Sequence, residues 1–261
     1  MIDTSYRKKF LTVNQIWYPD GVTVTELLKQ KRSADIIFVH GAPIADTKGS
    51  FRGWQEYHTC MNDITMPEEE MLAAINKAVR YQFRRSEKDN IEIRFYTKAD
   101  IDQSPELLDT FADIYERMYQ SKGSDTKLNL EAVKKYLEED AIIFSAVWHE
   151  SEMLVFHSYI CDDKDARLLH SASCFREESA DQSMIGRANK RLHWEDILYF
   201  KKKGLIRYDW GGISDFDNPN GIDEFKMKFG GEKITYYNIF AGNTLLGKLA
   251  VTAMKCMKRV N

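Results

Sequence analysis

The sequence lacks any run approaching the roughly 20 apolar residues a membrane-spanning helix needs, so no segment reads as a transmembrane span. Its four cysteines, Cys60, Cys161, Cys174 and Cys256, are scattered and form no C-x-x-C. They read as reduced thiols rather than a disulfide framework or a zinc site. Met1 to Phe10 is polar and basic without an apolar core, unlike a secretory signal. A cytoplasmic protein is expected. A net excess of either charge is lacking too. The formal net charge of −3 argues against DNA as a partner, while leaving room for local basic faces. No cluster has metal-ligand spacing, and there is no P-loop lysine motif and no G-x-S-x-G elbow. Neither a metal nor those two catalytic arrangements is expected. Internal repeats and low-complexity linkers are absent as well.

What is present is an ordinary globular composition, 43% hydrophobic and 30% charged over 261 residues. That suffices for one large domain or two small ones. Residues 1 to 65 are the least legible, with short strands at 22–25 and 36–39. Thr65-Met66-Pro67-Glu68 offers a capping box for a helix whose Met71, Ile75, Val79 and Phe83 form an apolar stripe. The opposite face carries Lys77, Arg80 and Arg84, either a solvated face or a groove edge for phosphates. From residue 91 the order is a strand, a helix opening at Ser104-Pro105, a helix capped by Asn129, and three strands near 141–149, 153–161 and 166–175. A long helix over 183–203 follows, apolar on more than one side, as suits a helix wedged between a sheet and other elements. Gly204 ends it.

A short apolar run at 205–208 then reaches Asp209-Trp210-Gly211-Gly212. A turn containing Phe225, Lys226 and Phe229 follows, then a last strand at 233–240 and a helix over 244–260. That tail helix is read with Leu246, Leu249, Ala253 and Met257 inward and Lys248, Lys255, Lys258 and Arg259 outward. It packs on the sheet or, alternatively, makes a peripheral contact with an anionic membrane.

This order implies an α/β (α+β) protein, a mixed sheet with helices on both faces. It is the element order of the GNAT acyltransferase fold. Asn189-Lys-Arg-Leu-His193-Trp-Glu195, Lys203-Gly204, Tyr208-Asp-Trp-Gly-Gly-Ile213, Gly221-Ile222, Phe225-Lys226 and Phe229-Gly-Gly231 together resemble the Fem-type, peptidoglycan-bridge aminoacyltransferase branch of that superfamily. The resemblance runs over roughly residues 57 to 240. It implies a truncated GNAT-like subdomain over 1–90, an acyltransferase domain over 91–242 and a C-terminal amphipathic helix over 243–261. It further implies transfer of an aminoacyl or acyl group to an amine of a cell-envelope or polysaccharide precursor. The donor would be aminoacyl-tRNA or acyl-CoA, with no tightly bound cofactor, and the acceptor a small or nucleotide-linked molecule.

The chain also departs from the family. The first domain is cut to about ninety residues. At the acetyl-CoA loop of ordinary GNAT enzymes, Gln182-Ser-Met-Ile-Gly186-Arg187 has one residue too many between Gln and Gly. An acetyl-CoA-dependent N-acetyltransferase acting on a nucleotide sugar, and a non-catalytic binding protein on the same fold, therefore stand as alternatives.

Acyl transfer to an amine needs a deprotonated nucleophile, an oriented donor and a stabilised oxyanion. Backbone near Ser171 and Ser173 is placed to orient the donor, and Gly186 and Arg187, which the resemblance sets at the place of the acetyl-CoA loop, are candidate substrate-binding residues. The resemblance associates Lys226, flanked by Phe225 and Phe229, with the reaction centre; a surface lysine on an amphipathic turn is the competing reading. Asp209 is a candidate base or a structural acceptor at the Gly211-Gly212 turn. His170 and His157 are candidate bases or satisfied core residues. His193 reads as packing.

Overall fold

The computed structural model describes all residues except 20, 31, 32, 178–180 and 258. In chain order the strands and helices are β1 (Ile2–Lys8), β2 (Leu11–Trp17), α1 (Val24–Gln30), β3 (Ile36–Ala42), β4 (Arg52–Asp63), α2 (Glu68–Ala74), α3 (Lys77–Ser86), β5 (Ile91–Tyr96), α4 (Lys98–Gln103), α5 (Glu106–Gln120), α6 (Leu130–Glu138), β6 (Ile142–His149), β7 (Glu152–Cys161), β8 (Asp165–Ser173), α7 (Gln182–Lys202), β9 (Arg207–Ile213), α8 (Gly221–Met227), β10 (Glu232–Gly242) and α9 (Leu245–Cys256). The chain divides into two compact units.

The first unit comprises residues 1–59, 212–216 and 233–261. Its strands run β1-β2-β3-β10-β4. β1 and β3 are antiparallel to β2 and β10 respectively, and β2 and β3 are parallel. Alternation along β3 separates two cores. Ile37 and Val39 face α1 with Val24 and Leu27. Ile36 faces the other side, where Val251 of α9 packs and Phe38 stacks on Phe240. Residues 22–25, expected as a strand, instead open α1. Thr23 and Glu26 form the reason: Glu26 accepts from the Thr23 N–H at 2.8 Å, and the Thr23 hydroxyl accepts from the Glu26 N–H at 3.3 Å. That reciprocal capping outweighs the β-branched composition.

The tail helix α9 corrects a second expectation. It docks through Gly247 and Val251, whereas Leu246, Leu249, Ala253 and Met257 are exposed. A Cβ on Gly247 would lie 1.7 Å from the Asp35 carbonyl oxygen, so only the glycine face can approach this closely. Asp35 fastens the helix start, accepting from the Thr244 hydroxyl at 2.5 Å and from the Thr12 N–H at 2.9 Å. Those two bonds hold its carboxyl below the usual range. The expected outward Lys258 lies outside the described residues.

The second unit comprises residues 60–211 and 217–232. Its strands run β4-β9-β8-β7-β6-β5, antiparallel from β8 to β5 and parallel between β8 and β9. One face carries α5, whose Phe111 stacks on Phe144 and Phe156. The other carries α7, whose buried residues on several sides, Ile185, Ala188, Leu192, Trp194, Ile197 and Phe200, match the wedged helix expected. The one helix expected to carry Met71, Ile75, Val79 and Phe83 is two helices. Asn76 breaks it, its side chain capping α3 at the Ala78 N–H and its own N–H bonding Lys228 O at 2.8 Å. The predicted stripe Met71, Ile75, Val79, Phe83 is buried across the break. Among the described residues no helix is long and apolar enough to cross a membrane.

Candidate functional site

Strands β8 and β9 pair at only three positions, Asp165↔Arg207, Ala166↔Tyr208 and Arg167↔Asp209. Beyond them β8 continues to Ser173 paired with β7 alone, and β9 continues through Trp210 and Gly211. The two strands therefore part within a buried sheet, and a wedge opens on the side to which both run. The base of the wedge is fixed electrostatically. Arg207 makes two hydrogen bonds to the buried Asp165, and the Arg167 guanidinium stands 3.6 Å from the Asp209 carboxylate. Burial nevertheless pushes the Asp165 carboxyl up. Asp209 also accepts from the Gly211 N–H at 2.8 Å, and Gly211 adopts φ +67°, which a glycine allows without strain. The carboxylate thus holds the Gly211 turn.

Helix α8 delivers the predicted Phe225 and Lys226. Asn220 and Asp223 lock its first turn by a reciprocal capping box. Phe225 then packs 5.4 Å from both His193 and Phe229, and Phe229 packs 4.5 Å from Trp210. Lys226 is half-buried. Burial lowers its pKa, against the opposing pull of Asp209 and Asp223. Lys190 of α7, which the sequence reading did not select, lies 5.7 Å over the Phe225 ring and donates to Gly186 O at 3.0 Å. Burial lowers its pKa too, and Lys228 adds to the effect.

Of the other predicted residues, His170, Ser171 and Ser173 lie on β8 past its last pair with β9. The His170 ring bonds the Ser158 hydroxyl at 2.8 Å and stacks edge-on against Tyr115. Burial lowers its pKa to about 4, so the ring is neutral near pH 7. Gly186 faces Phe175 and Lys190. Arg187 turns away to a two-bond pair with Asp89, at 2.7 and 2.6 Å. Lys77 and Arg84 are exposed on α3 and Arg80 is half-buried there, while the same helix stacks Phe83 against Trp194. Gly212 belongs to the first unit, where a Cβ would come within 3.3 Å of the Tyr57 hydroxyl.

Behind His193 lies a buried polar chain that ends on the half-buried Asn189. His157 Nδ1 is 2.7 Å from Asp196 Oδ2, and its Nε2 is 2.9 Å from Asn189 Oδ1. The Tyr159 hydroxyl donates to the same Asp196 oxygen at 2.5 Å. Its single proton being used, Tyr159 accepts from Tyr208, 2.8 Å away. Tyr208 in turn accepts from His193 Nδ1 at 3.1 Å. His193 is therefore the Nδ1–H tautomer. Burial, then the nearby His157 and Lys226, hold its pKa well below the usual histidine value. His157, His193 and Asp196 are close enough to suggest a metal site. However, the rings stack at 4.0 Å, and both His157 nitrogens and His193 Nδ1 are engaged by Asp196, Asn189 and Tyr208, so these atoms serve the hydrogen-bonded chain. The sequence signal for this chain was the spacing Asn189, His193, Asp196, which puts three polar side chains on one buried face of α7.

No protein-family model matches the chain, and no curated protein does. Solved structures do. FemX matches at 14% identity and TM-score 0.63, over 95% of this chain and 85% of that one. The C-terminal domain (DUF2156) of a protein described as a lysylphosphatidylglycerol synthetase from Agrobacterium fabrum matches at 11% and 0.61, over 98% and 85%. L-PGS from Bacillus licheniformis matches at 11% and 0.57, over 99% and 85%. At such identities the likeness is one of fold: the chain has the mixed, GNAT-like α/β fold that it shares with FemX and the lysylphosphatidylglycerol synthetase domain.

Proposed function

We propose that the chain is an acyltransferase that uses the wedge between β8 and β9 to hold an acyl donor and Lys226 to stabilise the reaction's developing negative charge. The observation that carries this reading is the placing of a half-buried lysine, by a doubly capped helix, near the last paired residues of two parting strands. In the step envisaged, the acceptor amine attacks the donor's carbonyl carbon and its oxygen gains the charge that Lys226 faces. On collapse the bond to the leaving oxygen or sulfur breaks, and that atom takes the proton the amine loses. A preorganised cation in a low-dielectric site is worth far more to such an oxyanion than one in water. Lys190 and Arg167 add positive charge suited to a donor phosphate.

Aminoacyl-tRNA is the preferred donor, with an amine of a cell-envelope precursor as acceptor. The name lysylphosphatidylglycerol synthetase on two of the neighbours supports an aminoacyl donor and brings in a phospholipid acceptor as the second reading. Thermal shift separates the donors, since a ligand that prefers the native state raises the melting point. Charged tRNA is expected to raise it and coenzyme A to leave it unchanged; the reverse would move the reading to the acetyl-CoA enzyme. Stabilisation by neither, with no transfer from either donor, would leave the non-catalytic binding protein. Replacing Lys226 by Ala is expected to cut transfer about 10²- to 10³-fold with the melting point kept.

A further inference from the structure

We infer that α9 is an interfacial helix that lies on an anionic lipid bilayer. Its inward stripe is narrow, Gly247 and Val251. Its outward face is the apolar one: Leu245 is 77% exposed, Leu249 61%, Met257 55% and Leu246 41%. Large apolar side chains exposed singly are unremarkable, but three on one short helix and a fourth, Met257, at its C-cap share one side of it and call for a partner.

The partner's chemistry follows from charge. Residues 245–259 carry Lys248, Lys255, Lys258 and Arg259 and no acid, in a chain whose net charge is −3. At 100° per residue, Lys248 and Lys255 fall together along one border of the apolar sector. The structure holds both there. Lys248 Nζ sits 5.4 Å over the ring of Phe51, itself exposed, and Lys255 Nζ donates to Arg52 O at 3.2 Å. An apolar sector bordered by cations is what an anionic bilayer surface accepts. A second copy of the same face would instead set Lys248 and Lys255 against like charges. The inference does not depend on the acyltransferase reading, because no residue of the wedge takes part.

Cys256 is exposed and Cys60, Cys161 and Cys174 are buried, so an environment-sensitive fluorophore on Cys256 reports on α9 in the full chain. With vesicles of phosphatidylglycerol and phosphatidylcholine, a blue shift and co-sedimentation are expected, with weak binding to phosphatidylcholine alone. Leu249→Ser is expected to weaken binding about tenfold or more, and Lys248→Gln about fivefold. Circular dichroism should show both variants folded. Equal binding to both vesicle types, no binding, or a dimer by sedimentation that Leu249→Ser dissociates would each overturn the inference. Loss of transfer in a Lys226→Ala protein that still binds vesicles keeps the two readings separable.

Discussion

The hydroxyls of Tyr159 and Tyr208 lie 2.8 Å apart, although β8 runs between their strands. Both side chains reach over the same face toward α7. Because the Tyr159 hydroxyl donates to Asp196, the proton order along Asp196, Tyr159, Tyr208 and His193 is set from one end. Phenylalanine at position 208 would leave His193 Nδ1 buried without its acceptor, at about 1–3 kcal/mol, while the Tyr159 hydroxyl keeps its bond to Asp196. Tyr208→Phe should therefore lower urea stability by at least about 1 kcal/mol. The double Tyr159→Phe, Tyr208→Phe variant should cost less than the sum of the singles. Strict additivity would mean that the chain does not act as a unit.

His170 and His193 make stability depend on acid. Both are depressed in the folded chain, His170 to about 4 and His193 well below its usual value, each mainly by burial. Unfolded, they titrate near 6.5. Above that pH neither state binds the proton and native stability is whole. Below it the unfolded chain binds more protons, so stability falls at about 1.4 kcal/mol per pH unit for each histidine. For His170 the decline ends near pH 4. Urea midpoints measured from pH 7.5 to 4.5 should fall, and His170→Asn should flatten the slope. A flat profile in the parent protein would contradict the buried, neutral state of both rings.

Much of this was legible because it rests on local signals. The three strands β6 to β8, the long two-sided α7 ended by Gly204, and the Phe225-Lys226 element were marked by periodicity, caps and glycines. What escaped notice depends on distance in space. Whether α9 would dock by its leucines or its glycine turns on the Asp35 carbonyl, 212 positions earlier in the chain. The buried chain needs a histidine and tyrosine from β7, a tyrosine from β9 and an acid from α7, and no window of sequence contains them together. The Thr23-x-x-Glu26 box, by contrast, was present in the sequence and lost to the β-branched residues around it.

Lys226 should be a residue that costs stability. Its pKa is lowered, with burial outweighing Asp209 and Asp223, so holding its charge in the folded chain is a net penalty at neutral pH. Lys226→Met, which keeps the length and removes the charge, should raise the melting point slightly while transfer is lost. Should the melting point drop by several degrees instead, the lysine would be a structural ion-pair partner and its assignment to the reaction would fail.

The docking of α9 predicts an inverted sign for a familiar substitution. In an exposed helix, Gly→Ala stabilises by roughly 1 kcal/mol, because alanine loses less backbone entropy. At Gly247 the added methyl would stand 1.7 Å from Asp35 O and 2.6 Å from Asp35 C, both backbone atoms with no flexible end to swing aside. Overpacking of this kind costs about 1–3 kcal/mol, so Gly247→Ala should destabilise the protein, measured by urea unfolding. The control is Ala253→Gly on the exposed side of the same helix, which should cost only about 1 kcal/mol. If Gly247→Ala stabilises, the helix does not dock by its glycine face. The outward direction of Leu245 and Leu249, and with it the bilayer contact, would then be lost.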